Sequence, residues 1–249
     1  MNRKLILISC DNGGQGFLPG VSIDMQRYES FFRSSIGGAW RDDEIRLYYN
    51  NATRDILHDY IMMTEGTRHV DYWLIVFCGH GRTDINERTQ MLLSQGNEVC
   101  DLDIFTWLRG SRCLIIGDCC RERRVLQGDQ LIQEGLIHDR IPDSEVCREA
   151  YNDFLRHSPA GIHCRAYAAS VHETAGENNN IGGIYSFCLI YAANSLANHN
   201  GGNIEQHPYC LSFEVVQNNS AQNVEMLTQN EQHPVSDGNI EQLPFVVVA

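Results

Sequence analysis

The sequence predicts an α/β fold built on a parallel sheet with crossover helices. Two observations carry this. Short apolar runs alternate along the chain with amphipathic stretches, the pattern of strands joined by helices. The run DYWLIVFCGHG (71–81) is apolar on both faces, as a central parallel strand must be. At 249 residues the chain can form one such domain with a well-buried core, or two small ones. Its 43% hydrophobic and 20% charged residues are those of an ordinary folded protein.

Taken in order, KLILISCD (4–11) reads as the first strand and NGGQGFLPG as a glycine-rich turn. In SIDMQRYESFFRSS (22–35), Ile23, Tyr28, Phe31 and Phe32 fall at roughly helical spacing. EIRLYYN (44–50) reads as a strand and 51–65 as a helix capped by Asn51 or Thr53. Residues 82–100 are polar around a short MLLS core and read as a hairpin excursion. A short helix over 101–110 ends at Gly110, and SRCLIIGDCC (111–120) is a second central strand. Residues 121–160 change character: they carry six arginines and read as a long linker with one helix near 145–156. GIHCRAYAAS (161–170) reads as a strand and 182–199 as a strongly apolar helix. The Asn/Gln-rich tail holds a helix near 211–218 or 222–229, then a last strand, LPFVVVA.

The formal net charge of −13 argues against nucleic acid as a main partner, because phosphate binding needs a basic surface. It suits a cationic substrate, such as a peptide carrying Arg or Lys. The run LILI near the start is too short for a signal peptide, and no run approaches a membrane span. The ten cysteines, several of them in apolar stretches, therefore read as reduced thiols of a cytoplasmic protein. No CxxC pair or zinc-ligand spacing occurs, so no metal or other cofactor is expected. Calcium activation is not readable, since no calcium-loop spacing of carboxylates is present.

Parallel sheets bind ligands beyond the carboxyl ends of their strands. Past two central strands stand GHG (79–81) and DCC (118–120). A His and a Cys so placed are the minimum for thiol catalysis: the imidazole takes the thiol proton and the thiolate attacks a carbonyl. The N–H of Gly81, with that of the nucleophilic cysteine, is suited to a developing oxyanion.

VFCGHG followed by DCCRE, with His80 and Cys120 forty positions apart, resembles the caspase-like cysteine peptidases of clan CD: caspases, metacaspases, paracaspases and their compact prokaryotic relatives. In metacaspases and paracaspases the nucleophile stands two residues after an aspartate. That selects Cys120, with His80 as its partner, Gly81 and Cys120 as oxyanion donors, and Cys119 as a strand-end filler. LPGVSIDMQRYESFF is similar to the family's first helix, YAASVHETAGENNNIGGIYSFCLIYAANSL to its fifth-strand segment, and EQHPVSDG with LPFVVV to its closing segment. The resemblance implies the caspase-hemoglobinase fold: about six strands, mostly parallel, with helices on both faces. It implies a single domain over 1–249, with a large-subunit-like part (1–120), the linker (121–160) and a small-subunit-like part (161–249). The H-S-G that follows the metacaspase nucleophile is missing, and VHE (171–173) is unlike typical members.

Matching to metacaspases and paracaspases places Asp24, Asp118 and Glu177 in the pocket for the substrate's P1 side chain. Three converging carboxylates suit a guanidinium, so the expected substrate is a protein or peptide with Arg (or Lys) at P1. His172 and Glu173 are further candidates at the rim. Self-cleavage is expected in the linker, at Arg140 or Arg148. Resemblance to the prokaryotic members suggests a stress or antiviral death pathway, with a gasdermin-like protein as substrate. Two other readings compete: a catalytically silent caspase-like scaffold, and a redox or metal site built from Cys78, His80, Cys119 and Cys120. Oligomeric state is open, because LPFVVVA suits a buried strand or an edge.

Overall fold

The computed structural model describes residues 1–13, 16–108, 110–120, 143–200 and 208–249. The first part of the chain runs β1 (Arg3–Cys10), α1 (Val21–Arg33), β2 (Ile45–Tyr49), α2 (Arg54–Thr67), β3 (Tyr72–Gly79), β4 (Gly81–Thr83), β5 (Thr89–Leu92), β6 (Glu98–Cys100), α3 (Asp101–Trp107) and β7 (Arg112–Cys119). The second part runs α4 (Ser144–His157), β8 (His163–Tyr167), β9 (Glu177–Asn178), β10 (Gly182–Gly183), α5 (Ile184–Asn200), β11 (Tyr209–Ser212), α6 (Phe213–Leu227), β12 (Val235–Asp237) and β13 (Pro244–Val248).

Six strands form the central sheet in the order β12-β8-β7-β3-β1-β2. All neighbours are parallel except β12, which runs antiparallel to β8. Period-2 alternation explains the apolar strands. Leu5, Leu7, Leu74, Val76, Leu114 and Ile116 face one core with α1, α4, α5 and α6. Ile6, Ile8, Trp73, Ile75, Phe77 and Ile115 face the other, under α2 and α3. Thr53 caps α2, its hydroxyl accepting from Ile56 N at 3.3 Å. Among the described residues no helix is long and apolar enough to cross a membrane.

Three expectations are revised. Residues 82–100 form a three-stranded antiparallel sheet, β4-β5-β6, rather than a simple hairpin. The Asn/Gln-rich tail carries one continuous helix, α6, across both of the stretches considered. The apolar end LPFVVVA is not in the central sheet. As β13 it is buried and pairs with β11, and its Val247 N–H donates to Ile36 O at 2.7 Å. Both edges of β13 are thus engaged within the chain. The sixth central strand is instead the short Val-Ser-Asp segment β12.

The helix expected near 145–156 is present as α4, and it buries Cys147, Arg148, Tyr151 and Leu155. Asp143 caps this helix by accepting from the backbone of Glu145 and Val146. Arg148 donates to both oxygens of Glu44, at 2.6 and 2.7 Å, and to Ala39 O. Arg3, fully buried, donates to the same carboxylate and lies 4.3 Å over the Trp40 ring. A peptidase needs an extended, accessible scissile segment. Arg148, buried on a helix and ion-paired, does not offer one, which corrects its candidacy for self-cleavage. Arg140 lies outside the described residues.

Candidate active site

β3 and β7 pair in register, Cys78 opposite Asp118 and Gly79 opposite Cys119. One residue further, His80 and Cys120 leave the sheet at the same level, on strands about 5 Å apart. Gly81 keeps the two strand ends close. A Cβ at Gly81 would lie 2.7 Å from both Cys119 Sγ and the Cys120 carbonyl oxygen, so only glycine fits, and its backbone runs alongside Cys120.

Strand alternation separates the neighbouring cysteines. Cys119 is buried under α2 and α3 with Tyr167. Asp118 and Cys120, two residues apart, share the opposite face: Ser186 N of α5 donates to Asp118 Oδ2 at 3.0 Å. Cys78 belongs to this second face and Cys119 to the first. The sheet therefore lies between them, and Cys78, His80, Cys119 and Cys120 do not converge as a redox or metal centre would require. Among the described residues no group of three or more His, Cys, Asp or Glu is arranged to hold a metal. Each of the ten cysteines is a free thiol.

His80 Nε2 lies 2.7 Å from the Gly16 carbonyl. A carbonyl only accepts, so Nε2 carries the ring proton and the lone pair of the neutral ring sits on Nδ1. The Cys120 thiol is half-buried and donates to Ala175 O at 3.3 Å. Burial first, and then the nearby charges of Asp118 and Glu177, push its pKa up. The resting group is therefore a thiol that needs a base.

The three matched carboxylates come together. Asp24, in the first turn of α1, accepts from Gly183 N at 2.8 Å. A Cβ on Gly183 would overlap Asp118 Oδ2 and sit 3.1 Å from Asp24 Oδ2. One on Gly20 would sit 3.1 Å from Glu177 Oε2. Asp24 and Asp118 are buried, 3% and 7% exposed, while Glu177 is half-buried at the mouth. Desolvation raises the pKa of all three, and mutual repulsion adds to it for Asp24 and Glu177. Such a cluster is short of positive charge.

The rim candidates behave differently. Glu173 accepts from His233 Nδ1 at 2.8 Å and from the backbone of Ser170 and His233. It braces the loop after β8 rather than joining the cluster. His172 is exposed, with a left-handed φ of 68°. Sequence reasoning missed Gln232, which is fully buried and bridges both ends of that loop. Its amide donates to Ala168 O and accepts from Gly176 N. It also missed Arg27, although its spacing of three from Asp24 on a helix places both on one face.

The sequence profile of the caspase domain, peptidase family C14, matches residues 2–243. No curated protein matches the sequence. Among solved structures, caspase-1 from Spodoptera frugiperda aligns with a TM-score of 0.59 at 14% identity, over 98% of this chain and 88% of that one. That likeness shows a shared fold: the six-stranded, mostly parallel sheet with helices on both faces that the resemblance implied. With the family profile spanning nearly every residue and the sheet ordered as that fold requires, the chain belongs to the caspase-domain family of cysteine peptidases.

Proposed function

We propose that the protein is a cysteine endopeptidase that uses His80 and Cys120 to cut peptide bonds after Arg or Lys. The observation that carries this reading is the shared strand face of Asp118 and Cys120, with Asp24 and Glu177 gathered beside it. A peptide entering the cleft displaces the thiol from Ala175 O, and Nδ1 of His80 takes its proton. The thiolate attacks the scissile carbonyl, and the oxyanion meets the N–H groups of Gly81 and Cys120. His80 then protonates the leaving amine, and water hydrolyses the thioester. A P1 cation beside Asp118 and Glu177 also offsets the repulsion that holds the thiol neutral. The overall charge of −13 favours approach of basic substrates.

A panel of fluorogenic peptides with Arg, Lys or Asp at P1 tests the specificity. Asp118→Asn keeps the shape of the side chain and removes its charge. It is expected to lower kcat/KM for Arg peptides by about a hundredfold, the loss that follows an unpaired buried polar contact. Efficient cleavage after Asp by the wild type would sink the reading.

The reading includes self-cleavage after Arg140, now without Arg148. Mass spectrometry of the purified protein beside Cys120→Ala is expected to find a cut at Arg140 only in the wild type. A wild-type chain that stays intact while it cuts Arg peptides would count against it. The reading extends to a stress or antiviral death pathway with a gasdermin-like substrate, supported by the resemblance to compact prokaryotic relatives.

A further inference from the structure

The carboxylate cluster already holds one guanidinium, supplied by the chain itself. Arg27 NH1 lies 2.8 Å from Asp24 Oδ1, and its NH2 donates to Ile181 O at 2.6 Å. Its carbon Cζ sits 5.4 Å from the centre of the Phe187 ring. The Arg27 side chain is only 12% exposed and that of Asp24 4%, so the pair is little screened by water. With Gly183 N on Oδ2, both oxygens of Asp24 are engaged. Ile181 lies in the turn between β9, which carries Glu177, and β10. Arg27 thus ties α1 to the hairpin that forms one wall of the cluster.

The geometry points to Arg27 as a specificity-determining residue of the proposed P1 pocket: it takes Asp24 out of the substrate-facing set, holds the Glu177 hairpin in place, and leaves Asp118 and Glu177 to receive the substrate cation. The inference rests on the P1 reading above and deepens it. Without Arg27 the cluster keeps three acids and no internal cation. The charge of Arg27 favours ionisation of both Asp24 and Asp118. Its removal makes these acids hold their protons to higher pH. The other titratable groups packed around the cluster are Tyr28 on α1, Cys78 on β3, Cys120 just past β7, and Tyr185 and Cys188 on α5. Phenols and thiols are neutral or anionic, so none supplies a substitute cation, and burial raises the pKa of each and keeps it neutral.

The test compares wild type, Arg27→Met, Arg27→Lys and the double variant Asp24→Asn/Arg27→Met. Kinetics with an Arg-P1 peptide are taken from pH 5.5 to 9, with melting temperatures to confirm folding. Arg27→Met is expected to lose about tenfold in kcat/KM on the acid side, carried by KM, and to recover at alkaline pH; the acid limb moves up by about one pH unit. Arg27→Lys restores the wild-type limb. The double variant, which lacks both members of the pair, moves the limb less than Arg27→Met. An equal loss at every pH that Lys does not rescue would show a merely structural role and overturn the inference. So would a profile unchanged by Arg27→Met in a wild type that cuts Arg peptides. A wild type that cuts no basic peptide overturns the P1 reading itself, and the role of Arg27 with it.

Discussion

Cys120→Ala is expected to abolish peptide hydrolysis, by at least about a thousandfold, while leaving the fold and substrate binding intact. The Cys120 thiol is half-buried and donates to Ala175 O, whereas its neighbour Cys119 is buried. Cys119→Ala is the matched control. Its side chain is buried on the opposite face beneath α2 and α3, so the substitution removes packing rather than chemistry. It is expected to cost on the order of 1 kcal/mol in stability and to keep most of the activity. Turnover by Cys120→Ala together with loss of turnover in Cys119→Ala would reverse the assignment. Active-site titration with a peptide electrophile, followed by peptide mapping, locates the modified thiol independently.

The largest expected loss of stability lies far from the cleft, at Glu44. Its carboxylate receives Arg148 through both guanidinium nitrogens, Arg3 through two more, and the N–H of Arg41. Glu44→Gln leaves two buried guanidinium groups without their counter-ion, which costs about 3–5 kcal/mol. Burial opposes ionisation of Glu44, but the Arg148 hydrogen bonds and the Arg3 charge outweigh it and hold its pKa at about 2, against 4.5 for a free glutamate. A depressed carboxyl contributes stability that is full above its unfolded pKa and is lost as pH falls through the folded one. Denaturant midpoints of wild type and Glu44→Gln should therefore differ by a constant amount above about pH 5. The gap should close by about 3 kcal/mol as pH falls from 4.5 to 2. A gap that persists unchanged at pH 2 would show that the ion pairing is not its source.

The central strands were legible because a strand covered on both faces must be apolar at nearly every position, and little else in a sequence looks like β3 or β7. β12 was not. Three residues reading Val-Ser-Asp carry no period, and only the edge of β8 turns them into a strand. β13 was legible as buried but not as absent from the central sheet, since apolarity states that a segment is covered and not by what. The same limit applied to Arg148. Its charge in the linker suggested an accessible position, and only Glu44, 104 positions earlier, explains why it is buried. At the site, His80 and one of the paired cysteines followed from their places after two strands, and family matching chose Cys120 over Cys119. Asp24 and Glu177 came from family matching, because no spacing in the chain links α1 to β9. Arg27 was one helical turn from Asp24 and went unread, since an arginine in an amphipathic helix ordinarily faces water.

Asp118 and Cys120 are alternate residues of one backbone, and that sets a length. Successive residues on one face of a strand stand about 6.6 Å apart, and pairing with β8 on one side and β3 on the other leaves β7 no freedom to stretch. With Cys120 as nucleophile, the attacked carbonyl and the acid that recognises its neighbour sit at the two marks of a rigid ruler. A short cationic side chain cannot span it. Under the proposed P1 reading, the pleat of β7 would thus measure the P1 residue before any charge is weighed, and a change of substrate size would require a different strand, not merely a different pocket residue.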